Sequence, residues 1–145
     1  MKIEEIESLW ETDSKIDSAD LSGESIKTPQ LHHKYFKILN QEILISKYTE
    51  SQKQILRKKK WSYFNGISID ENNDEVFPVK RGHKLTKDDV NALIEGEQEF
   101  IDIRLKLELQ NQKITYLESI IKEISQRTWN IKNAIEWHKF TNPEH

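Results

Sequence analysis

The feature that most restricts the fold of this chain is a heptad pattern in its C-terminal third. Twelve positions follow one another at alternating spacings of three and four residues without a slip, and nine of them are apolar. They are Phe100, Ile103, Leu107, Gln110, Ile114, Leu117, Ile121, Ile124, Thr128, Ile131, Ile135 and His138. Spacing of 3.5 residues keeps one stripe of a helix facing a partner helix. The pattern therefore predicts a long helix with a coiled-coil seam.

Two partners are open to this seam. One is a second copy of the chain, reached through oligomerisation residues Ile114, Leu117, Ile121, Ile124, Ile131 and Ile135. The other is the first long helix of the same chain, folded back as a hairpin. The first helix lacks an equally regular apolar stripe, which favours self-association. The intramolecular hairpin remains the alternative.

Start and stop signals place the other helices. A short helix is expected to end near Trp10, and the polar stretch 13–27 is interpreted as a loop. Pro29 suits the first turn of a long helix, with Thr28 as its N-cap, and Asn65-Gly66 suits its end. Thr86 and Asp89 form a capping-box pattern that begins the second long helix, which is expected to run to about residue 139.

These signals predict an all-α fold of two long helices joined by a polar linker, with a homo-oligomer formed through the C-terminal heptads. The predicted regions are an N-terminal helical region at 1–66, a linker at 67–85 and a helical oligomerisation region at 86–145. Short extended pieces are possible at 67–69 and 76–79. Only 35% of the residues are apolar, so part of the apolar surface is expected to be buried between copies.

Several classes of function are not supported by the residues. The chain has no Cys, which excludes disulfides and thiolate nucleophiles, and its four Gly form no phosphate-binding loop of the Walker type. The acidic run 70–75 begins like a calcium loop but lacks the required Gly, and adjacent His32 and His33 point in different directions. We expect no catalytic activity, cofactor or metal. An acidic N-terminus and no membrane-length apolar run predict a cytoplasmic protein.

Charge is distributed unevenly along the sequence. Residues 1–25 hold two Lys and eight acidic residues, whereas residues 26–65 hold nine Lys or Arg and two Glu. Residues 66–145 hold eleven basic and fifteen acidic residues, and the whole chain has a net charge of −3. The pattern to explain is a basic middle segment between acidic ends.

The basic segment contains a cationic and aromatic stripe. On a helical wheel the candidate nucleic-acid-binding residues gather on one side, with Lys58 at the flank. The opposite side is an apolar face, predicted to pack in the core, made by Leu44, Ile45, Tyr48, Ile55, Leu56 and Tyr63. The nucleic-acid-binding candidates are Lys53, Arg57, Lys58, Lys60, Trp61 and Phe64. Like charges one helical turn apart cost about 0.2–0.5 kcal/mol per pair. Phosphates would neutralise them while bases stack on the rings.

The alternatives to nucleic acid are a solvated charged face with a buried Trp, an acidic protein, and a membrane. A fold that buries Trp61 and Phe64 and neutralises the amines with its own carboxylates would remove this argument. A secondary basic cluster, Lys80, Arg81 and Lys84, could extend the track.

Several short stretches resemble the phage recombination mediator UvsY family. They are Ile16-Asp17-Ser18 through Leu21, Gln52-Lys53, Lys58-x-Lys60 and Tyr63-Phe64-x-Gly66, with a looser likeness at Ile131-Lys132-Asn133-Ala134-Ile135. The resemblance implies a closed homo-oligomeric ring, a heptamer, that binds single-stranded DNA. It also implies partners: a phage RecA-like recombinase, which such a protein helps to load, and the single-strand binding protein that covers the strand. The basic pair of the motif falls on Lys58 and Lys60.

The sequence therefore predicts a single-stranded DNA-binding recombination mediator, with residues 1–66 as its DNA-binding region. If it is phage-encoded, its place is the host cytoplasm. Two other classes stay open: a coiled-coil assembly or scaffold protein without nucleic-acid binding, and an RNA-binding regulator.

Overall fold

The computed structural model describes residues 1–66 and 84–143 and places four helices in them. These are α1 (Ile3–Asp13), α2 (Leu21–Phe64), α3 (Lys87–Glu95) and α4 (Gln98–Thr141), and the described ranges contain no strand. The predicted all-α class is therefore confirmed. The predicted extended pieces, the acidic run 70–75 and nearly all of the linker 67–85 lie outside the described residues.

Two helix boundaries match the predicted signals. Gly66 follows α2 with a φ of 70°, the left-handed conformation that ends helices and that glycine adopts without steric cost. Before α3, the Asp89 backbone N–H donates to the Thr86 hydroxyl at 3.2 Å, and the Thr86 N–H donates to the Asp89 carboxylate at 3.2 Å. This reciprocal cap confirms the predicted helix start.

The start of α2 differs from the prediction. The helix begins at Leu21, eight residues before Pro29, because Asp20 caps it by accepting from the Gly23 N–H at 3.1 Å. A side chain at Gly23 would meet that carboxylate, since an added Cβ would lie 2.2 Å from it. Asp20 and Gly23 thus form a cap that competes successfully with Thr28 and Pro29.

The second long helix is also divided. Gly96 ends α3, where its N–H donates to the Ala92 carbonyl at 3.2 Å, and α4 starts two residues later. Glycine is a weak helix former, so a break there costs little. The break lets Val90 and Ile94 of α3 pack against Phe100 at the start of α4.

The described chain divides into two compact units, 1–43 with 112–145 and 44–111. The first unit contains α1, the N-terminal part of α2 and the C-terminal part of α4. Its core is apolar and fully enclosed. The core residues are Ile6, Tyr35, Leu39, Leu117, Ile120 and Ile124. The ring of Trp10 on α1 meets Tyr35 edge-on at 5.3 Å between centroids.

Polar contacts set the antiparallel register of α2 and α4 in this unit. Arg127 is 3% exposed and is paired with the Glu24 carboxylate, and its Nε donates to the Thr28 hydroxyl at 3.2 Å. About five turns of α2 beyond Glu24, Lys113 pairs with Glu42 at 3.1 Å. Hydrogen bonds from Lys27 and Arg127 lower the pKa of Glu24.

A second polar group ties α1 to α2. The Asp13 carboxylate accepts from Lys34 at 2.6 Å and from the Tyr35 hydroxyl at 2.8 Å. Burial alone would raise the pKa of Asp13, but the two hydrogen bonds and the Lys34 charge together lower it. Burial and the Asp13 carboxylate raise the pKa of Tyr35.

The heptad seam is closed inside the chain along most of this unit. Leu117, Ile124 and Ile131 are at most 3% exposed, and Ile114 and Ile121 pack against the core at its edge. The partner observed for these residues is therefore intramolecular, as the hairpin alternative predicted, because Tyr35 and Leu39 of α2 and Ile6 of α1 pack in the same core. Self-association through the seam stays a prediction. Near the C-terminus of α4 the seam opens, and Ile135 is 37% exposed.

The second unit contains the C-terminal part of α2, α3 and the N-terminal part of α4. Its core is formed by Phe64, Val90, Ile94 and Phe100. The Ser46 hydroxyl donates to the Asn111 side-chain oxygen at 2.9 Å, which fixes the register of the α2 and α4 segments. Leu56 and Ile103 border the same core.

Candidate nucleic-acid interface

The interface candidates lie on the last four turns of α2, and this segment is rotated by roughly 100° about its axis from the wheel prediction. Thr49 is buried and Leu56 packs at the core edge, so their side of α2 points inward. The predicted core residues Leu44, Tyr48 and Ile55 are 66%, 67% and 61% exposed. Ile45 is also exposed, at 43%. The predicted core face is therefore wrong at these four positions, whereas its other two members, Leu56 and Tyr63, do pack at the edge of the core.

Phe64 does not join an exposed stripe. Its side chain is 3% exposed, packs with Val90, Ile94 and Phe100, and meets the Tyr63 ring edge-on at 5.0 Å between centroids. The prediction that Phe64 lies among solvent-facing cations is wrong, because the short α3 covers it. A base cannot stack on this ring without opening the core.

Arg57 lies at the edge of the helix pair. Its guanidinium is 3.8 Å from a Glu95 carboxylate oxygen and 4.7 Å from the centroid of the Phe100 ring. Both side chains of the ion pair are well exposed, at 38% and 57%. Ion pairs of this kind contribute about 0–1 kcal/mol, so a phosphate could replace the carboxylate at little cost.

Lys60 and Lys53 are also held by carboxylates of the chain. The Lys60 amine lies 3.8 Å from Glu97 and 3.7 Å from Glu99, and the Lys53 amine lies 3.5 Å from Glu50. Their side chains are only 19% and 24% exposed. These carboxylates neutralise two cations at the edge of the inward face of α2. A helical wheel based on apolar residues alone therefore misplaces that face.

Three other side chains form an open face on α2. Lys47, Lys58 and Trp61 are exposed, and Trp61 is 42% exposed. They fall within an arc of about 60° on the helix and span roughly 20 Å along its axis. No carboxylate of the described residues lies within 4 Å of either amine. We call Lys47, Lys58 and Trp61 the open face.

Only some of the residues predicted from the sequence to bind nucleic acid lie together on one surface. Lys58 and Trp61 are brought together in solvent, and Lys47, which was missed, joins them at a spacing of eleven residues that keeps it on the same side. Lys59 is exposed but points about 100° away from Lys58. In the secondary cluster, Lys84 is exposed, whereas Lys80 and Arg81 lie outside the described residues.

The described residues contain no group of three or more His, Asp or Glu side chains that could hold a metal ion. They also contain no helix of the length and apolarity that crossing a membrane requires.

Comparisons with solved structures identify the fold. Three crystal structures of the bacteriophage T4 recombination mediator protein UvsY, in lattice types II, IV and I, superpose with TM-scores of 0.84, 0.84 and 0.81. Their sequences are 18%, 17% and 16% identical to this chain. The matches cover 98%, 97% and 94% of this chain and 98%, 99% and 98% of the T4 chains. At this identity the likeness establishes the fold alone.

Sequence comparison identifies the family. No curated protein sequence matches the chain significantly. The family model described as "Recombination, repair and ssDNA binding protein UvsY" matches residues 9–144, nearly the whole chain. The chain therefore belongs to the UvsY family of recombination, repair and single-stranded DNA-binding proteins.

Proposed function

We propose that this protein is a homo-oligomeric mediator, assembled as a ring, that binds single-stranded DNA and helps load a RecA-like phage recombinase onto strands covered by single-strand binding protein. The observation that supports DNA binding most directly is the open face. Lys47 and Lys58 have no carboxylate partner in the described ranges, and a half-exposed Trp61 lies beside Lys58. Family membership gives this surface its ligand class.

The physical case rests on charge and stacking together. Phosphates neutralise the open amines, and each phosphate contact releases counterions from the strand. A base stacked on the Trp61 indole contributes about 1–3 kcal/mol and does so with little sequence preference. Arg57 and Lys60 add further contacts by exchanging their long carboxylate pairs for phosphates.

One subunit supplies only a few such contacts, so its affinity is modest. Several subunits in one assembly make later contacts intramolecular and raise the total affinity without any new kind of contact. A strand held along several subunits is bent away from its relaxed path and can be passed to the recombinase. The protein acts in this scheme by binding and needs no cofactor.

The first experiment is a fluorescence titration of the whole protein with oligo-dT, with duplex DNA and a structured RNA in parallel. The mediator predicts salt-sensitive binding with preference for oligo-dT. A scaffold protein predicts oligomers without such binding, and an RNA regulator predicts preference for the structured RNA.

The second experiment measures loading. A RecA-like phage recombinase is added to single-stranded DNA already covered by single-strand binding protein, and its strand-dependent ATP hydrolysis is followed with and without this protein. The proposal expects a shorter lag in its presence. An unchanged lag, with oligo-dT binding intact, would reduce the function to DNA binding alone.

A further inference from the structure

Three carboxylates lie where α3 ends and α4 begins, next to the last turns of α2. They belong to Glu95, Glu97 and Glu99, and we call these residues the acidic edge. A carboxylate oxygen of Glu95 is 3.8 Å from the Arg57 guanidinium. Those of Glu97 and Glu99 are 3.8 and 3.7 Å from the Lys60 amine. The acidic edge therefore contacts two of the cations that the sequence predicts to bind nucleic acid.

Helix stability does not account for the whole acidic edge. Glu99 lies in the first turn of α4, where the helix dipole favours an acidic side chain. Glu95 is the last residue of α3, where the dipole disfavours one, and the last turn of α3 has no basic residue to offset it. The contact that favours a carboxylate at this position is the one with Arg57 on α2. The acidic edge is thus better explained by the cations that it faces than by the helices that carry it.

The ion pairs of the acidic edge can open without disturbing the core. The Glu95 and Glu99 side chains are 57% and 70% exposed, and exposed pairs of this length contribute little to stability. Other contacts keep the cations in place. The Arg57 guanidinium lies 4.7 Å from the centroid of the Phe100 ring, and the Lys60 side chain is only 19% exposed. Both cations therefore stay at the edge of α2 whether or not a carboxylate holds them.

We propose that the acidic edge competes with DNA phosphates for Arg57 and Lys60, which limits the affinity for a single strand and speeds its release. This inference rests on DNA binding in the proposed function and assigns a regulatory role to residues outside the open face. Carboxylate and phosphate oxygens are both anionic acceptors for the same N–H donors. Because the carboxylates belong to the same chain, their effective concentration is high, and each retakes its cation when a phosphate leaves.

Competition for a cation differs in its kinetics from repulsion through space. A carboxylate that only repels the strand slows its arrival, so that removing the carboxylate mainly raises the association rate. A carboxylate that competes acts once the strand is bound, so that removing it mainly lowers the dissociation rate. Fast dissociation suits a mediator, because the strand has to pass to another protein.

The test replaces Glu97 and Glu99 with Gln in the full chain. Gln keeps nearly the size of Glu and removes its charge. Binding of a short labelled oligo-dT is measured by fluorescence anisotropy, and its dissociation is followed by stopped flow after excess unlabelled strand is added. The affinity should rise by about 3- to 10-fold, mostly through slower dissociation, because Lys60 no longer exchanges two carboxylates for a phosphate.

Two comparisons isolate the contact with Lys60. The same two substitutions in a Lys60→Ala background should give no gain, because competition requires the amine. The matched control is Asp88→Asn with Glu108→Gln, which removes two exposed acidic charges of the same unit. Neither of these side chains lies within 4 Å of a cation of the described residues. The control should leave the dissociation rate unchanged.

Circular dichroism checks that the variants keep their helicity, since Glu99 also lies at a helix start. If the double variant loses helicity, Glu95→Gln replaces it, with Arg57→Ala as its background and an expected gain of about 2- to 5-fold. An unchanged or lower affinity overturns the proposal, and so does a gain that persists without the cation. If the unaltered protein does not bind oligo-dT, the proposed function itself fails, which distinguishes the two results.

Discussion

Replacing Lys47 and Lys58 with Ala gives the sharpest test of the open face. Both amines are free of carboxylates in the described ranges, so the change removes phosphate contacts without breaking an observed ion pair. Arg57 and Lys60 supply two more contacts once they leave their carboxylates. One engaged subunit then neutralises about four phosphates, and the double variant about two.

The expected size of the effect follows from counterion release. The logarithm of the affinity for a single strand falls with the logarithm of salt concentration at about 0.7 per contact, which gives slopes of about −2.8 and −1.4. Between 50 and 200 mM salt, the affinity of an unaltered subunit should fall about 50-fold and that of the double variant only about 7-fold. The ratio of the two slopes does not depend on how many subunits engage the strand.

The assay is fluorescence anisotropy of labelled oligo-dT at four or more salt concentrations. The matched control replaces Lys37 and Lys122, two exposed cations of the other unit, and should keep the original slope. Light scattering checks that assembly is unchanged. A double variant with the slope of the unaltered protein would refute the assignment of the open face.

Three further predictions concern other residues. Trp61→Ala should weaken oligo-dT binding by about 1–3 kcal/mol and change the free energy of unfolding little, as fluorescence titration and urea denaturation would show. Phe64→Ala should lower the free energy of unfolding by about 3–5 kcal/mol in the same denaturation experiment. Leu117→Ala, at a fully buried site, should cost about 2–5 kcal/mol in the same denaturation. The lowered pKa of Asp13 stabilises the fold above its ordinary value of 3.8, and this contribution is lost as pH falls below it. Asp13→Asn should therefore be less stable than the unaltered protein at pH 7, with a smaller difference at pH 3.

Most of the helical architecture could be predicted because its signals are local. The Thr86 and Asp89 cap and the Gly66 stop each depend on residues within one turn. The start of α2 was harder to predict, since Asp20 and Thr28 are both acceptable caps. Gly23 has no side chain, and this leaves space for the Asp20 carboxylate that caps the earlier start of α2.

The orientation of α2 could not be predicted from its own residues. A helical wheel assigns the more apolar side to the core, but α2 turns Leu44, Tyr48 and Ile55 outward. The inward edge is made acceptable by Glu97 and Glu99, which contact Lys60 from nearly forty residues away. This compensation depends on tertiary contacts that no local pattern contains.

The same compensation limits what one subunit can do with DNA. Cations that balance the chain's own carboxylates must exchange one partner for another, so they contribute less to affinity than free amines of the same number. Two free amines and one indole remain on the open face, and their summed contribution in one copy is small. We therefore expect tight binding at physiological salt to require several copies on one strand, as the homo-oligomer of the proposed function would provide.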